Sequence, residues 1–418
     1  MFVLLSLYVV GYFITPLLSK FLYQSFILLS LPIFFLEFKL LKKDYIFSLL
    51  LLSIVIQALS WANSLYYYPE FSNDSPKLDR LSKLFSFIFI AYWIKGSLNK
   101  VLIVLFLFVF GFSLNVVLSL EFYNDLAILL EDSTKRVDFG FKNSQYTSML
   151  SGVVFLITVF LLFSKPCLPI KYKNIFLSLV SFIMLLSAFI LLVSQSRQVW
   201  LAFCVVFLCF PLVFGWVYPK TSRLKIFSGY ISLFICIFFI SKLELVEERF
   251  IYTFEYEYSM FSDALNRDKV RSIGNGIRIN SWFESVDWIK EHPILGSGPN
   301  AIGEVIQQSS RLSNKVKSKV RHLHNFHIEL LVAYGIVGLC IIYCMYYCVI
   351  HSLFTSKLNN PELTPITIFG VMFLLFWLTV NFFESFSSRS DGVYVQNIVF
   401  GCLYTFYFLN NGLKSSSN

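Results

Sequence analysis

Long apolar stretches recur along the whole chain and are separated by short polar segments. Most are about 14 to 23 residues long, which suits helices that cross a bilayer with their own backbone hydrogen bonds satisfied. The pattern predicts an all-α polytopic integral membrane protein. Twelve spans are predicted, at residues 2–18, 24–38, 45–62, 81–94, 101–120, 147–163, 175–193, 199–217, 226–243, 328–350, 366–383 and 393–409.

The composition excludes a water-soluble protein. Of the 418 residues, 57% are hydrophobic and only 14% are charged, against about 25% charged residues in soluble domains. The net charge of +9 could indicate nucleic acid as a partner. In a membrane protein, however, the position of each Lys and Arg matters more than their sum. Membrane lipids are therefore the expected surroundings, and no nucleic acid is expected.

Basic residues are concentrated in every second loop. If the N-terminus is cytoplasmic, the even-numbered loops contain almost no acid, whereas the outer loops after spans three and five mix both charges. Cytoplasmic loops carry the excess of Lys and Arg, so both termini are expected in the cytoplasm. The predicted inner basic residues are Lys39, Lys42, Lys43, Lys95, Lys100, Lys165, Lys171, Lys173, Lys220, Arg223, Lys225, Lys357 and Lys414.

Only one connection is long, and it divides the chain into three parts. Spans one to nine occupy residues 1–243, an outer loop occupies residues 244–327, and spans ten to twelve with a short cytoplasmic tail occupy residues 328–418. Long loops usually carry function. Apolar residues recur at helical spacing within this loop before His292-Pro293, which predicts a short amphipathic helix on the outer membrane surface. They are Ile279, Trp282, Phe283, Val286 and Ile289.

Candidate chemistry lies at the predicted outer ends of the spans, because the spans themselves contain few ionisable groups. Arg197 lies in the turn between spans seven and eight, Arg278 near the start of the loop helix, and Arg389 between spans eleven and twelve. Each could be an interfacial charge, and Arg278 could pair with Glu284 or Asp287. Together, on the side that the insertion bias disfavours, they indicate an anionic ligand such as a phosphate or diphosphate.

Three histidines, His322, His324 and His327, precede span ten. They could bind a metal ion, but apart from Glu329, one turn deeper, no nearby acid or cysteine completes a ligand set at typical spacing. The eight cysteines lie in spans or, for Cys167, in an inner loop, which predicts neither an outer disulfide nor a thiolate zinc site. A neutral histidine at the membrane surface suits a general base instead. Gly335 and Gly338 then follow within one turn and are interpreted as permitting close helix approach.

The run His324-Asn325, nine residues, and Gly335-x-x-Gly338 resembles the hallmark of the bacterial O-antigen ligases. These enzymes share a large outer loop with O-antigen polymerases and protein O-oligosaccharyltransferases. Further similar pieces occur in the same order, chiefly within residues 190–340. They are Ser194-Gln195-Ser196-Arg197 with Trp200-Leu201-Ala202, then Gly276-Ile277-Arg278 with Trp282, and Pro293 with Gly296-x-Gly298.

This resemblance implies a metal-independent, inverting, GT-C-like glycosyltransferase without a cofactor, in the bacterial inner membrane and with its active site facing the periplasm. Its donor would be a glycan on undecaprenyl diphosphate, and its acceptor a sugar hydroxyl of the lipid A-core. Arg197 and Arg278 would then stabilise the departing diphosphate, with Arg389 as a third contact. His324 would accept or orient the acceptor proton, Asn325 would help to position the acceptor, and His322 competes with His324 for the catalytic role.

Three alternatives remain open. Leu339 and Cys340 follow the glycine pair where ligases often have Thr or Ser, so an O-antigen polymerase is the nearest alternative. A protein O-oligosaccharyltransferase would use the same donor but usually has more extracytoplasmic sequence. A lipid-linked glycan flippase would carry out no covalent chemistry, and spans with few charges argue against such a transporter.

Overall fold

The computed structural model of this chain describes residues 1–164, 170–218, 221–265 and 270–410. The described residues are almost entirely helical and contain no strand. Lys165, Cys167, Lys220 and Lys414 lie outside them. Among the described residues, eight helices are long and apolar enough to cross a membrane, as expected of a polytopic membrane protein. They are Tyr45–Tyr67, Leu98–Leu118, Ser144–Phe163, Ile170–Val193, Arg197–Val217, Arg223–Ser241, Phe326–Asn359 and Thr364–Phe383.

The remaining helices are shorter or more polar. Three are single 3₁₀ turns, at Lys83–Phe85, Pro361–Leu363 and Phe386–Ser388. The others are Phe2–Ile14, Pro16–Ser30, Pro32–Leu36, Phe38–Leu41, Asp79–Ser82, Phe87–Ile94, Leu120–Glu131, Glu244–Leu265, Asn275–Glu291, Ala301–Gln307, Asn314–Lys317 and Ser390–Asn410.

Proline and polar caps interrupt two of the predicted spans near the N-terminus. The first helix ends at Ile14, because Thr15 is extended and its side chain accepts from the backbone N–H of Leu18, which starts a new helix at Pro16. The second apolar stretch is divided again before Pro32. The predicted span at 81–94 is divided among the end of the helix Asp79–Ser82, the 3₁₀ turn Lys83–Phe85 and the eight-residue helix Phe87–Ile94. The count of twelve spans therefore stays a prediction.

The helix Phe326–Asn359 packs most extensively against Tyr45–Tyr67, Thr364–Phe383 and Ser390–Asn410. Buried polar side chains connect the helices where apolar packing alone gives little specificity in lipid. Asn397 is an example. Its Oδ1 accepts from the backbone N–H of Phe87 at 2.9 Å, and its Nδ2 donates to the carbonyl of Lys83 at 2.9 Å. This amide fixes the broken helix that carries Lys83 to the last helix of the bundle.

The predicted loop helix is present as Asn275–Glu291 and ends just before Pro293. Its buried residues are small or polar: Gly276, Asn280, Ser281 and Ser285. The helix begins at Asn275, so Gly276 lies in its first turn. Gly276 is required there, since a Cβ would lie 1.9 Å from a backbone carbonyl oxygen. The predicted placement of this helix on the membrane surface stays a prediction.

Gly335 kinks the helix Phe326–Asn359. Its φ is +61°, and a Cβ there would lie 2.3 Å from the carbonyl oxygen of Ile294. The backbone N–H of Ile336 donates at 2.8 Å to the carbonyl of Pro293, outside the helix. The close approach made possible by Gly335 is thus to a loop, not to another helix, which corrects the interpretation from sequence.

The kink leaves two helix carbonyls available to the same loop. Val332 accepts from the backbone N–H of Ser297 at 2.8 Å, and Ala333 accepts from that of Gly298 at 3.0 Å. Gly296 has φ +69°, and a Cβ on it would lie 2.4 Å from the backbone of Ala333. The contacts at Gly296, Gly298 and Gly335 therefore hold the 293–298 loop against the helix Phe326–Asn359.

We expect Gly335→Ala to lower the thermal midpoint of the purified protein by more than about 5 °C. The left-handed conformation costs about 1–3 kcal/mol in a residue with a side chain, and the new Cβ also meets the loop backbone. Gly303→Ala is the matched control, because a Cβ at Gly303 has no atom within 4 Å. Equal midpoints for the two variants would contradict this account of the kink.

Candidate functional site

The carboxylate of Glu384 lies at the centre of the candidate site. It follows the helix Thr364–Phe383 directly and is 3% exposed. Its Oε2 lies 2.9 Å from His324 Nδ1 and 3.5 Å from Arg278 Nη2, and its Oε1 lies 3.4 Å from His322 Nδ1. Because a carboxylate only accepts, His324 Nδ1–H is the donor. One acid thus holds two histidines and an arginine from a different part of the chain.

Gln145, near the start of the helix Ser144–Phe163, joins this cluster. With its amide nitrogen towards Glu384, it donates to Glu384 Oε2 at 2.9 Å and accepts from Arg278 Nη2 at 3.0 Å. This amide orientation satisfies both partners, so Gln145 bridges the acid and the arginine.

A cavity of about 260 Å³ opens beside Arg278. None of its described lining residues is acidic, and four of them are arginines. We call it the arginine cavity after Arg136, Arg197, Arg249 and Arg278. Arg197 and Arg278, predicted from the sequence, thus lie together, and Arg136 and Arg249 were not predicted for the diphosphate.

The turn before Arg197 is fixed by a neighbouring loop. Arg136 Nε donates to the carbonyl of Ser194 at 2.9 Å, and Gln195 Nε2 donates to the carbonyl of Thr134 at 2.7 Å. Gln195 has φ +50°, a conformation that costs energy in any residue with a side chain. The helix Arg197–Val217 begins directly after this turn, so Arg197 is carried at a helix N-terminus.

The positive charges of the arginine cavity repel one another. Burial, with the charges of Arg249, Arg197 and Arg278, lowers the pKa of Arg136 to about 10. Burial and then Arg197 lower the pKa of Arg249 as well. The buried Nε of Arg249 has no hydrogen-bond partner among the described residues. An anion in the arginine cavity would relieve this repulsion.

The segment that carries the histidines is tied at Leu323. Trp282 Nε1 donates to the Leu323 carbonyl at 2.8 Å, and the Leu323 N–H donates to Glu329 Oε1 at 3.1 Å. Glu329 also accepts from the hydroxyls of Ser385 at 2.6 Å and Ser388 at 2.8 Å. Buried Glu329 therefore joins the histidine segment to the turn that follows Glu384. These ties hold His324 at φ +52°, outside the usual range for such a residue.

Asn325 and His327 have structural contacts. Asn325 Oδ1 accepts from the backbone N–H groups of His327 and Ile328, both at 3.0 Å, and so caps the helix Phe326–Asn359. The His327 ring contacts the Tyr343 hydroxyl and the Leu378 carbonyl. A role for Asn325 in substrate binding stays a prediction.

Arg389 lies apart from the other two predicted arginines. It lines a second cavity, of about 420 Å³, with His322 and Glu329 among the other lining residues. The rings of His322 and His324 lie 3.9 Å apart between centroids. His322 therefore contacts the second cavity on one side and the His324 and Glu384 pair on the other.

His322, His324 and Glu384 could together hold a metal ion, since their ligand atoms lie within 4.8 Å of one another. The acid that sequence spacing could not supply comes from sixty residues further along the chain. Arg278 already brings a positive charge to the same carboxylate oxygen. The Arg278 guanidinium thus compensates the negative charge of Glu384, as a bound metal ion would.

One protein family is similar to part of this chain. Residues 182–343 match the family model described as O-Antigen ligase, and this match covers less than half of the 418 residues. The resemblance predicted from the sequence is thereby confirmed, and it supports an activity of the O-antigen ligase or polymerase type on a lipid-linked glycan. No curated protein matches the chain significantly.

The region that matches the O-antigen ligase family model contains five of the six residues predicted for the site: Arg197, Arg278, His322, His324 and Asn325. Glu384 and Gln145 lie outside it and far away in sequence. The one signal that pointed towards Glu384 was an isolated acid at the end of an apolar span, a position where carboxylates are rare unless they have a function.

We expect the His322 ring to stay neutral down to about pH 4 in the folded protein. Burial and then His324 lower its pKa to about 4 from the ordinary 6.5, against the opposing effect of Glu384. Folding thus favours the neutral ring, and this contribution to stability is lost as the pH falls from 6.5 towards 4. Nitrogen-15 histidine NMR, assigned with His322→Gln, measures the titration.

Glu384→Gln should move the His322 midpoint lower still, because the carboxylate is the group that favours the charged ring. A His322 midpoint near 6.5 in the unsubstituted protein would show that the ring is not buried as described.

Proposed function

We propose that this chain is an O-antigen ligase. It would transfer a glycan from undecaprenyl diphosphate to a sugar hydroxyl of the lipid A-core, in the inner membrane, with both termini cytoplasmic and the site open to the periplasm. The observation that carries the proposal is the arginine cavity, which meets the hydrogen-bonded pair of His324 and Glu384 at Arg278.

The arginine cavity suits the diphosphate of the donor. A guanidinium group can donate two parallel hydrogen bonds to phosphate oxygens. The positive charge of four arginines also exceeds the negative charge of a glycosyl diphosphate. Arg197 also lies at a helix N-terminus, where the positive end of the helix dipole favours an anion. Charge that develops on the departing diphosphate would thus be stabilised without a metal ion or another cofactor.

The transfer would be a single displacement with inversion. The acceptor oxygen bonds to the anomeric carbon while the bond from that carbon to the diphosphate oxygen breaks, and the electron pair leaves with the diphosphate. The proton of the acceptor hydroxyl goes to a base. The neutral form of His324 suits this role: when its Nδ1–H donates to Glu384, Nε2 is the ring nitrogen that can accept a proton.

Glu384 would act as a positioning residue for that base. Burial alone would raise its pKa, but the hydrogen bond from His324, the positive charge that the His324 and His322 rings carry when protonated, and the charge of Arg278 outweigh burial and lower the pKa to about 2. Glu384 is therefore ionised at neutral pH, fixes the tautomer of His324 and stabilises the imidazolium that forms.

The polymerase alternative would use the same donor with another carrier-linked glycan as acceptor. A protein O-oligosaccharyltransferase would use a hydroxyl on a protein, and a flippase would use no base. The lipopolysaccharide of a deletion strain separates the first two. A ligase deletion removes the whole ladder of polysaccharide lengths, whereas a polymerase deletion leaves core with a single repeat.

Arg197→Ala and Arg278→Ala should each reduce glycan transfer by at least about a hundredfold, because each removes a contact to the leaving group. The measurement is turnover by purified protein with a defined carrier-diphosphate donor. Arg311→Ala is the control, since Arg311 pairs with Glu284 and does not line the arginine cavity. Turnover in EDTA should equal turnover without it.

Near-normal turnover by both arginine variants would contradict the diphosphate assignment. Loss of turnover in EDTA, restored by a divalent ion, would instead favour the metal site at His322, His324 and Glu384.

His324→Ala should lower kcat by about a hundredfold or more and leave the KM for the donor unchanged. Glu384→Gln should also lower kcat, by at least about tenfold, because the amide cannot stabilise an imidazolium, and Glu384→Asp should recover part of the loss. If His322→Gln abolishes turnover while His324→Ala does not, His322 is the base. A collapse of donor binding with kcat intact would make His324 a binding group.

A further inference from the structure

The second cavity meets the arginine cavity at one carboxylate. His322, in its wall, contacts Glu384 Oε1, while Arg278, in the wall of the arginine cavity, contacts Glu384 Oε2. An inverting displacement brings nucleophile and leaving group to opposite faces of the anomeric carbon. Two separate cavities that meet at the cluster of His322, His324 and Glu384 could hold the two substrates in this way.

Positive charge dominates the second cavity. Its two acids are Asp79 and Glu329, and both oxygens of Glu329 already accept hydrogen bonds. Among the described residues, none of its four basic side chains other than histidine forms an ion pair with a carboxylate. They are Arg80, Lys83, Arg321 and Arg389.

The basic side chains of the second cavity are more exposed to solvent than its interior. Arg80, Arg321 and Arg389 are exposed, whereas Lys83 is half-buried. Deeper in, Tyr334 is 4% exposed, and its buried hydroxyl has no hydrogen-bond partner among the described residues. A buried hydroxyl of this kind is unfavourable until a ligand oxygen meets it.

We propose that the second cavity binds the acceptor, and that this acceptor is an anionic glycan with phosphate or carboxylate groups near the accepting sugar. The sugar would lie beside His322 with a hydroxyl on Tyr334, and its anionic groups would lie among the exposed basic residues. Arg389 would then contact the acceptor and not the donor diphosphate. This inference rests on the proposed glycosyl transfer.

The test uses the full chain in nanodiscs, a fixed donor and two forms of lipid A-core, phosphorylated and chemically dephosphorylated. The double variant Arg80→Gln with Arg389→Gln should raise the KM for the phosphorylated acceptor by about tenfold or more and leave the KM for the donor unchanged. With the dephosphorylated acceptor, variant and unsubstituted protein should have similar KM values. Added salt should reduce the difference between the two acceptors.

Lys290→Gln is the matched control, because it removes an exposed positive charge from the helix Asn275–Glu291, outside both cavities. The double variant Arg80→Lys with Arg389→Lys keeps the charge and should recover most of the acceptor affinity. Tyr334→Phe should raise the acceptor KM for both forms of the acceptor, since it removes a contact to the sugar.

The outcomes separate the two claims. If the unsubstituted protein turns over with neither lipid A-core nor a carrier-linked repeat as acceptor, the proposed function fails. If it turns over and the double variant raises the donor KM, or leaves both KM values unchanged, the function stands and the inference is overturned. Charge-dependent turnover with the carrier-linked repeat alone supports the anionic acceptor and assigns it to a polymerase.

Discussion

The contact between Glu384 and its partners determines how the rest of the site is arranged. A carboxylate that is 3% exposed accepts from His324 and pairs with Arg278, and His322 lies beside it. These partners come from the long connection between two apolar helices, whereas Glu384 ends a third. Removal of this acid would leave the Arg278 guanidinium without its carboxylate partner, which costs stability where the charge is mostly buried.

Two further sets of contacts hold the segments that carry Glu384 and its partners in place. Glu329 joins the histidine segment to the turn after Glu384, and the kink at Gly335 lets the 293–298 loop bind the same helix. Four of the described non-glycine residues have positive φ, and two of them, His324 and Gln195, lie at the site. Non-glycine residues in that conformation persist where the surroundings hold them, often at sites with a function. Here they flank the histidine pair and the arginine cavity.

Much of this could be predicted from the sequence, because apolar length predicts helices and the motif from His324 to Gly338 has a fixed spacing. The same reasoning could not find Glu384 or Gln145, whose proximity to Arg278 depends on packing between distant helices. Arg136 was not predicted to lie beside Arg197 and Arg278, because its loop has a balanced charge. Periodicity also could not show that Thr15 and Pro16 would divide the first apolar stretch.

The central claim is that the arginine cavity holds the diphosphate of a lipid-linked glycan beside His324. A structure of the protein with an undecaprenyl-diphosphate glycan bound, determined by electron cryomicroscopy, tests it directly. We predict diphosphate oxygens within about 3 Å of Arg197 and Arg278, with the anomeric carbon facing His324. A diphosphate bound instead in the second cavity, next to Arg389, would contradict the account.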